Sequence, residues 1–321
     1  MASISKFGQY VLLEVHDDTN SLVFSTDSLK IDFDVRHIPG WSRAKISLTN
    51  LTQATIRKLS NGVNYVTIST KLHDSPLQVV ASEMFISNAL EEVQVPNSIF
   101  NMYCYSKTRK EYLEKQIDIT VEGASLRKVI SDCVSAVKFK GVVEPKYFPP
   151  EMWDYVPPKP TQTHRGSLLT CLERLGKRGN YRFNVYTDGT KIVLMYKPDT
   201  KNVSGTDLFQ GENTLKLSTS NLRANPKIGP ASLSVISNLD PDIKPATLLD
   251  ISNLLTIGTD ASATSLEVGD NYLKEAVAGF SIYQALSVQH KGSNWGATWQ
   301  TQVAATSPVE GTTMPTDKWW A

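Results

Sequence analysis

The side chains that most often carry out enzyme chemistry are dispersed along this sequence. No histidine lies near a cysteine or a second histidine at a spacing that holds a metal ion. The five histidines are His16, His37, His73, His164 and His290. All of them fall at predicted strand ends, turns or linkers, so we predict that they are exposed loop residues. The sequence therefore predicts no metal ligand and no bound metal.

Paired carboxylates could hydrolyse a glycosidic bond, one acting as general acid and the other as base or nucleophile. The pairs present are Glu91 with Glu92, Glu151 with Asp154, and Asp240 with Asp242. They fall in predicted turns or on exposed rims, where a solvated surface is the better interpretation. The motifs G-x-S-x-G, H-E-x-x-H, G-x-G-x-x-G and the Walker loop are absent from the sequence. We therefore predict no catalytic residue, no cofactor and no enzyme activity.

Basic residues could instead form a nucleic-acid surface, but acidic residues nearly balance them. The chain has 33 lysines and arginines against 32 acidic residues, a net charge of +1. The basic concentrations are Lys107–Lys110 with Lys115, and the stretch from Arg165 to Arg182. They are dilute and lack regularly interleaved aromatic residues, so they support a nucleic-acid platform only weakly. The balanced total still leaves room for a local basic patch.

Cysteine usage and hydropathy indicate where the protein is made. Cys104, Cys133 and Cys171 are far apart, and the latter two fall on apolar faces of predicted helices. We predict buried free thiols, which fits assembly in a reducing cytoplasm. The first residues lack a charged leader followed by a long apolar run, so no signal peptide is predicted, and no apolar stretch approaches the ~18 residues of a membrane span. We expect a soluble protein without membrane insertion that is not exported by the general secretory route.

The stretch from Ile31 to Gly62 predicts the module around which the chain is built. Two runs of alternating apolar residues flank a Pro-Gly turn, which predicts a β-hairpin. A short helix follows, capped by Asn50 or Thr52 and ending at Gly62. Frequent alternating runs on both sides extend the pattern, and they predict a first β-barrel domain over residues 1–106.

Residues 107–200 have a different period. Ser125 is predicted to cap an amphipathic helix, and Ser167 begins a second helix that runs to Lys177. Between them, Lys146–Pro160 holds five prolines and is predicted to be extended with little regular structure. A hairpin follows, with Thr187–Thr190 as its turn. These elements predict a small α+β insert.

The strand pattern returns after a polar stretch at 201–230, and we predict a linker arm and a second β-barrel domain over residues 201–305. Its last strands are predicted at Phe280–Gln289 and Trp295–Ala305, joined by a turn at His290–Asn294. Residues 306–321 are predicted to be a flexible tail that carries Trp319 and Trp320, which are candidates for an assembly interface. The predicted fold class is α+β, mainly β, with two β-barrel tube-type domains flanking the insert.

The order of these parts resembles the baseplate hub proteins of contractile-tailed bacteriophages. That family includes the late-control protein D group and is related to the hub part of type VI secretion spikes. The matching phrases are AKISLTNLTQATIRKLSNG, VEGASLRKVISDCVSAV, GSLLTCLERLGKRGNYRFNVYTDGTKIVLMY, SLSVISNLDPDIKPATLLDIS and YQALSVQHKGSNWGATWQTQVAAT. Together they extend from about residue 8 to residue 305. Each phrase alone is weak, and their order along the chain carries the resemblance.

The resemblance implies a non-enzymatic structural hub in the tail baseplate of a virion, assembled in the host cytoplasm. A homotrimer with two tube domains per subunit would present six similar modules in a ring. This pseudo-sixfold ring would join a hexameric tail tube to a trimeric spike or needle protein, beside other baseplate proteins. DNA would be a partner only in transit through the lumen during ejection. No metal or cofactor is implied.

Two other functions remain open from the sequence. The protein could be a tail-associated peptidoglycan hydrolase, for which Glu144, Glu151 and Asp154 near the Pro-rich stretch are the only candidate residues. It could also be a peripheral baseplate or receptor-binding protein, which would favour six-fold or other non-trimeric assembly.

Overall fold

The computed structural model describes residues 8–17, 21–26, 29–62, 65–94, 96–156, 161–177, 182–197, 213–229, 232–255 and 281–306. The protein is mainly β with a few helices, and the predicted α+β, mainly β class is confirmed. The chain divides into two compact units, the first being Met1–Tyr196 with Lys291–Trp299 and the second Lys197–His290 with Gln300–Ala321. The domain boundaries at 106, 200 and 305 stay predictions. Trp319 and Trp320 lie outside the described residues.

The first unit begins with an antiparallel sheet and one helix. Its elements are β1 (Gln9–His16), β2 (Ser21–Ser25), β3 (Ile31–Ile38), β4 (Trp41–Thr49), α1 (Gln53–Gly62), β5 (Tyr65–Leu72), β6 (Gln78–Gln94) and β7 (Asn97–Ser106). The strands lie in the order β3-β4-β7-β6-β5-β1-β2. Strict alternation buries Ile31, Phe33 and Val35 on one face of β3, as the sequence predicts. The predicted hairpin is confirmed, because β3 pairs with β4 from Ile31 opposite Leu48 to Ile38 opposite Trp41.

Of the two caps proposed for α1, the structure selects Thr52. Its Oγ1 accepts a hydrogen bond from the backbone N–H of Thr55 at 3.3 Å, which satisfies one of the free donors of the first helical turn. Asn50 does not cap the helix and instead connects two strands. It has a positive φ of 60°, and its Oδ1 accepts a hydrogen bond from the backbone N–H of Ser98 at 3.1 Å. Asn50 therefore ties the end of β4 to the start of β7.

The rest of the first unit packs helices against two small sheets. A π-helix at Arg109–Leu113 precedes β8 (Gln116–Glu122), α2 (Leu126–Ala136), β9 (Val142–Lys146), α3 (Pro150–Trp153), β10 (Thr161–Ser167), α4 (Leu168–Gly176), β11 (Phe183–Asp188) and β12 (Lys191–Tyr196). β8 pairs with β10, and β12 lies between β11 and β9. The predicted cap of α2 is confirmed, because the side chain of Ser125 accepts from the backbone N–H of Lys128. Ser167, predicted as the first residue of the second helix, is the N-cap of α4, and its side chain accepts from the backbone N–H of Thr170.

The prediction that Lys146–Pro160 is extended with little regular structure is wrong at Pro150–Trp153. Pro150 begins the four-residue helix α3, where proline fits because its fixed φ suits the first turn and its missing N–H would have no intrahelical partner. The backbone N–H groups of Met152 and Trp153 both donate to the carbonyl of Pro149. Trp153 is also in ring contact with Phe148, at 4.9 Å between centroids. This short helix packs against the insert's core.

The second unit is a sheet with one short helix. Its elements are β13 (Thr214–Lys216), β14 (Lys227–Gly229), β15 (Ser232–Asn238), β16 (Leu248–Asp250), α5 (Ser252–Leu255), and most of β17 (Ile282–Ser293) and β18 (Trp299–Thr306). The strands lie in the order β14-β15-β18-β17-β16-β13. The interpretation of 201–230 as a polar arm is wrong over 213–229, where β13 and β14 form and Leu217 is 2% exposed.

The predicted turn at His290–Asn294 is also wrong. β17 continues to Ser293, and β18 begins at Trp299 rather than at Trp295, which is 45% exposed. Within the first unit, the Oδ1 of Asn294 accepts a hydrogen bond from the N–H of Ile31 at 2.9 Å, and its Nδ2 donates to the carbonyl of Leu29 at 3.1 Å. The connection is therefore placed by long-range partners that a local pattern does not reveal.

Candidate functional site

Three histidines predicted to be exposed are buried, namely His37, His164 and His290, each at most 4% exposed. His37 lies on the core side of β3, where the alternation that buries Val35 also buries it. Its Nδ1 is 3.0 Å from the Oγ of Ser42 on the paired strand β4. A histidine beside a serine hydroxyl is the geometry of an activated nucleophile, so this pair is a candidate for chemistry.

Burial and the hydrogen bonds of Ser42 argue against that role. Its Oγ donates to the backbone carbonyl of Thr187 at 3.0 Å, and the side chain is 2% exposed. A nucleophile must be reached by its substrate and must transfer its proton to the base. Here the proton points to a carbonyl in β11, so the pair fastens the β3–β4 hairpin to the insert.

The second unit contains a similar pair. The Nδ1 of His290 is 2.9 Å from the Oγ1 of Thr301, and both residues are fully buried. The same Oγ1 accepts from the backbone N–H of Asp240 at 2.9 Å. These bonds hold the loop after β15 on β17 and β18 within the unit, which is a structural task.

The carboxylates proposed for a hydrolase are not arranged as an acid–base pair. The side-chain hydrogen bond from Lys146 lowers the pKa of Glu144, whereas a general acid needs a raised pKa. Asp154 is 61% exposed and forms an ion pair with Arg127 at 3.3 Å. The side chain of Glu151 lies outside the described part of the structure. Within the described residues, no three histidine, cysteine or acidic side chains could hold a metal ion together.

The most distinctive surface is the polar face of the first unit's sheet. The register places six residues in one row across six strands, in the order Arg36, Arg43, Tyr105, Phe85, Tyr65 and His16. Neighbouring rings in the row are in contact, with centroids 5.4 Å apart for Phe85 and Tyr105 and 6.0 Å apart for Tyr65 and Phe85. Such cross-strand aromatic pairs stabilise a sheet.

Cations lie over these rings. The Nζ of Lys107 is 4.1 Å from the ring centroid of Tyr65, and that of Lys110 is 5.4 Å from the centroid of Phe85. The guanidinium of Arg109 lies 4.2 Å from the centroid of Trp41. All of these distances are within the range of a cation–π attraction. Three cations of the stretch Lys107–Lys110, which is dilute in the sequence, therefore lie on aromatic rings.

A groove of about 320 Å³ opens at the arginine end of this row. We call it the basic groove, and it is lined chiefly by Arg36, Trp41, Arg43, Lys45, Tyr103 and Tyr105. The one acidic residue among its lining is Asp34, which forms an ion pair with Arg36 at 3.1 Å. The register places Arg36 directly opposite Arg43, an arrangement of like charges that costs stability in a sheet.

The basic groove was not predicted from the sequence, although its signal is present there. Asp34, Arg36, Arg43 and Lys45 occupy alternate positions of two strands that the sequence predicts to pair. Alternation alone places them on the face opposite the core. The aromatic wall was harder to predict, because Tyr103 and Tyr105 join the face only through the pairing of β4 with β7.

Comparison by sequence finds no family model and no curated protein that matches the chain. Solved structures with the same arrangement do exist. A tail protein from Neisseria meningitidis is 7% identical, with a TM-score of 0.53 over 94% of this chain and 97% of that one. The 43 kDa tail protein of prophage MuSo2 from Shewanella oneidensis is 9% identical, with a TM-score of 0.52 over 94% and 97%.

A third similar structure is a component of the type VI secretion system of E. coli, which is described as structurally similar to the bacteriophage T4 tail proteins gp27 and gp5. It is 9% identical, with a TM-score of 0.51 over 95% of this chain and 79% of that one. Identities this low establish a shared fold and nothing finer. The chain thus has the fold of these two tail proteins, one of them from a prophage, and of a type VI secretion component.

Proposed function

We propose that the protein is a structural baseplate hub of a phage tail. The observation that carries the proposal is the extent of the likeness, since two tail proteins, one of them from a prophage, match 94% of this chain and are themselves matched over 97% of their length. If the proteins had only one domain in common, the match would cover only part of each chain. A function that depends on the entire architecture, such as building a ring, fits a match of this kind.

The proposed assembly follows from symmetry. A homotrimer in which each subunit supplies two tube domains has six similar modules, three subunits times two. One face of that ring would then seat a hexameric tail tube, and the other, truly threefold face would seat a trimeric spike. The contacts between subunits would be head-to-tail and would close by rotation.

The ring contacts would also occupy strand edges. β2 ends the sheet of the first unit, and its Val23 is 61% exposed. An unpaired strand edge with an exposed apolar side chain favours association, and a closed ring removes such edges. Obligate interfaces of this kind usually bury more than about 2,000 Å².

The same proposal names the partners of the hub and its location in the virion. The tail tube protein, the spike or needle protein and other baseplate proteins would contact the hub in the virion, after assembly in the host cytoplasm. DNA would pass the lumen only during ejection. The protein would have no catalytic role, and it would take no cofactor. Membrane insertion is not required, and within the described residues no helix is long and apolar enough to cross a membrane.

Oligomeric state tests the proposal. Light scattering and native mass spectrometry of the protein, alone and with the neighbouring spike protein, should give a particle near three times 35.6 kDa, or a trimer that forms only with the spike. A stable monomer that never trimerises with the spike or the tube protein would overturn the six-module ring.

The hydrolase alternative has a separate test. Purified protein is added to peptidoglycan, and release of soluble fragments is followed for the wild type, for Glu151→Gln and for the matched surface variant Glu122→Gln. Under the structural proposal none of them releases fragments above the buffer rate. Release by the wild type and by Glu122→Gln but not by Glu151→Gln would establish an enzyme.

A peripheral baseplate or receptor-binding protein is the remaining alternative. It would assemble with a symmetry other than threefold, or bind the host surface without binding the spike. The same mass measurement therefore separates it from a hub. Co-purification with tagged spike protein adds an independent criterion, because only the hub proposal places the spike on this chain.

A further inference from the structure

The basic groove carries more positive charge than its own surroundings neutralise. Asp34 pairs with Arg36 at 3.1 Å, but neither Arg43 nor Lys45 makes an ion pair with any residue that the structure describes. The side chains of Arg43 and Lys45 are both exposed. Two exposed cations without a counter-charge, beside a third in a concave site, favour an acidic ligand.

The groove also offers apolar surface. Trp41 is 42% exposed, although the guanidinium of Arg109 lies 4.2 Å from the centroid of its ring. Tyr103 and Tyr105, which also line the groove, are only partly buried. A ligand that complements this surface has apolar side chains next to its carboxylates.

The hairpin of β6 and β7 has that chemistry at the end next to its turn. The residues there, which we call the acidic tip, are Leu90, Glu91, Glu92 and Val93. Leu90 is 48% exposed and Val93 is 74% exposed, and both glutamates are exposed as well. Glu91 accepts a hydrogen bond from the side-chain amide of Gln53 at 3.3 Å, and neither glutamate makes an ion pair with a described residue. Exposed apolar side chains beside carboxylates without a counter-charge are typical of an interaction surface.

The basic groove and the acidic tip lie at opposite ends of one sheet. On β7, Tyr105 pairs with Arg43 of the groove, whereas Ile99 pairs with Glu92 of the tip. The six residues of strand from Ile99 to Tyr105 span about 20 Å, so the tip cannot form ion pairs of about 4 Å in the groove of its own chain. A second copy can supply the tip. Complementary surfaces at opposite ends of one unit join head to tail, and closed rings are built from contacts of that kind.

We propose that the basic groove of one subunit binds the acidic tip of the next copy of this chain. In this contact the carboxylate of Glu92 neutralises Arg43 and Lys45, and Val93 packs against the exposed part of Trp41. The inference rests on the proposed function, since it names the contact that would close the trimer, but the contact can fail while the trimer stands.

The first experiment uses the wild-type protein and a carbodiimide, which joins a lysine to a carboxylate without a spacer. Isotope-labelled and unlabelled chains are assembled together, with the spike protein present if the trimer requires it. Mass spectrometry should find peptides joined between Lys45 and Glu91 or Glu92, with one label in each half because two chains contribute. These peptides should be lost when both glutamates of the tip are replaced by glutamine. They should persist with the matched control Glu122→Gln, which changes an exposed glutamate of β8.

The carbodiimide reaction also tests other occupants of the groove. If Lys45 is joined to a carboxylate of the spike protein, or to a carboxylate of this chain outside the acidic tip, the proposal is wrong. A trimer that yields no joined peptide from Lys45 would overturn it as well.

The second experiment reverses the charges. Arg43→Glu and Glu92→Arg each place like charges in the contact, and each should raise the concentration at which half of the chains are assembled by about tenfold or more. The double variant restores opposite charges and should return to within about threefold of the wild type. Mass photometry over a dilution series gives these concentrations. Arg43→Glu should not harm the subunit itself, because the new carboxylate lies opposite Arg36 in the hairpin.

A matched pair of variants controls for charge alone. Arg57→Glu on α1 and Glu122→Arg on β8 change exposed residues away from the contact, and they should have no effect singly or together. If they weaken assembly as much as Arg43→Glu does, the effect is one of net charge and the proposal is wrong.

The failure of this contact can be told from the failure of the hub. A trimer that neither Arg43→Glu nor Glu92→Arg weakens would overturn the contact and leave the hub in place. A ring with another number of subunits that both variants disrupt would support the contact and overturn the hub. A chain that stays monomeric with the spike and the tube protein would overturn both.

Discussion

The thiols of Cys104, Cys133 and Cys171 are buried among apolar side chains, as the helical pattern of the last two predicts. Burial, together with the neighbouring Cys171 and Asp132, raises the pKa of Cys133 to about 12. Burial alone raises the pKa of Cys104 even further. Since the thiolate is the reactive form, we expect Cys104 and Cys133 to react slowly in the folded protein, and Cys171 is shielded by its burial.

A thiol reagent should therefore distinguish folded from unfolded protein. With a chromogenic disulfide at pH 8, we expect almost no reaction of the native protein over an hour and three thiols per chain in denaturant. The absorbance of the released chromophore gives the count. Fast reaction of even one thiol in native protein would show that a cysteine is more accessible than its burial indicates.

Glu144 should link stability to pH. Hydrogen bonding from Lys146 is the largest cause of its lowered pKa, and it outweighs the desolvation that would raise the pKa. Because the folded-state pKa lies below the ordinary value of 4.5, the carboxylate contributes stability above 4.5 and loses it as the pH falls through the folded value. Glu144→Gln should reduce the free energy of unfolding by about 0.5 kcal/mol at pH 7, since its partners are partly exposed, and by less at pH 3. Urea titrations at both pH values give the comparison.

Asp240 serves as a control, because its pKa is shifted in the opposite direction to that of Glu144. Burial raises its pKa above 3.8, so ionisation in the folded state costs stability as the pH rises through that range. Asp240→Asn removes the charge but retains an oxygen that can accept from the N–H of Asp242, now at 3.0 Å. The variant should be as stable as the wild type or more stable at pH 7. A loss at pH 7 that equals that of Glu144→Gln would contradict the raised pKa of Asp240.

At the scale of elements, helix caps are the feature that sequence predicts best. Ser167 accepts from the backbone N–H of Thr170 at 3.1 Å and contacts the Thr170 hydroxyl at 2.8 Å. Both partners are local, three residues apart, so the sequence contains the whole interaction. The same holds for Ser125 at the start of α2.

Removal of the Ser167 cap should destabilise α4 and the core that it covers. Ser167→Ala should lower the free energy of unfolding by about 1 kcal/mol, because a helix N–H then loses its acceptor. Ser167→Asp should recover most of the loss, since aspartate is an equally good cap. Guanidinium unfolding curves followed by circular dichroism measure both. If Ser167→Ala and wild type unfold at the same midpoint, solvent replaces the cap.

The elements that sequence could not predict depend on distant partners. β17 continues through His290 and Lys291 to Ser293, although Gly292 and Asn294 there have the composition of a turn. A Cβ on Gly292 would lie 2.3 Å from a ring carbon of Phe33, so that position needs glycine for close packing rather than for a turn. Phe33 also meets Trp299 edge to face at 6.0 Å between centroids. No local pattern reports contacts between residues so far apart in sequence.

In the basic groove, too, the features that depend on neighbouring residues could be predicted, and those that depend on distant strands could not. The cations of the basic groove could be predicted from the alternation in β3 and β4. Its aromatic wall could not, because the register of β4 against β7 decides that Arg43 lies beside Tyr105 and Lys45 beside Tyr103. Likewise, the pairing of His37 with Ser42 follows from the hairpin register, whereas the bond from Ser42 to Thr187 joins positions 145 residues apart.

For the whole molecule, the proposed trimer makes stability depend on concentration. If folded subunits exist only within a ring, unfolding separates three chains, and mass action favours the ring as the protein becomes more concentrated. The melting temperature should then rise by about 1 °C for each tenfold increase in concentration, which amounts to about 3 °C over a hundredfold range for a chain of this size. Differential scanning fluorimetry between 1 and 100 μM gives the slope, and Val23→Lys on the exposed edge of β2 provides a variant that should weaken the ring. A melting temperature that is independent of concentration, for wild type and variant alike, would indicate that each chain folds alone and that any ring is assembled only on its partners.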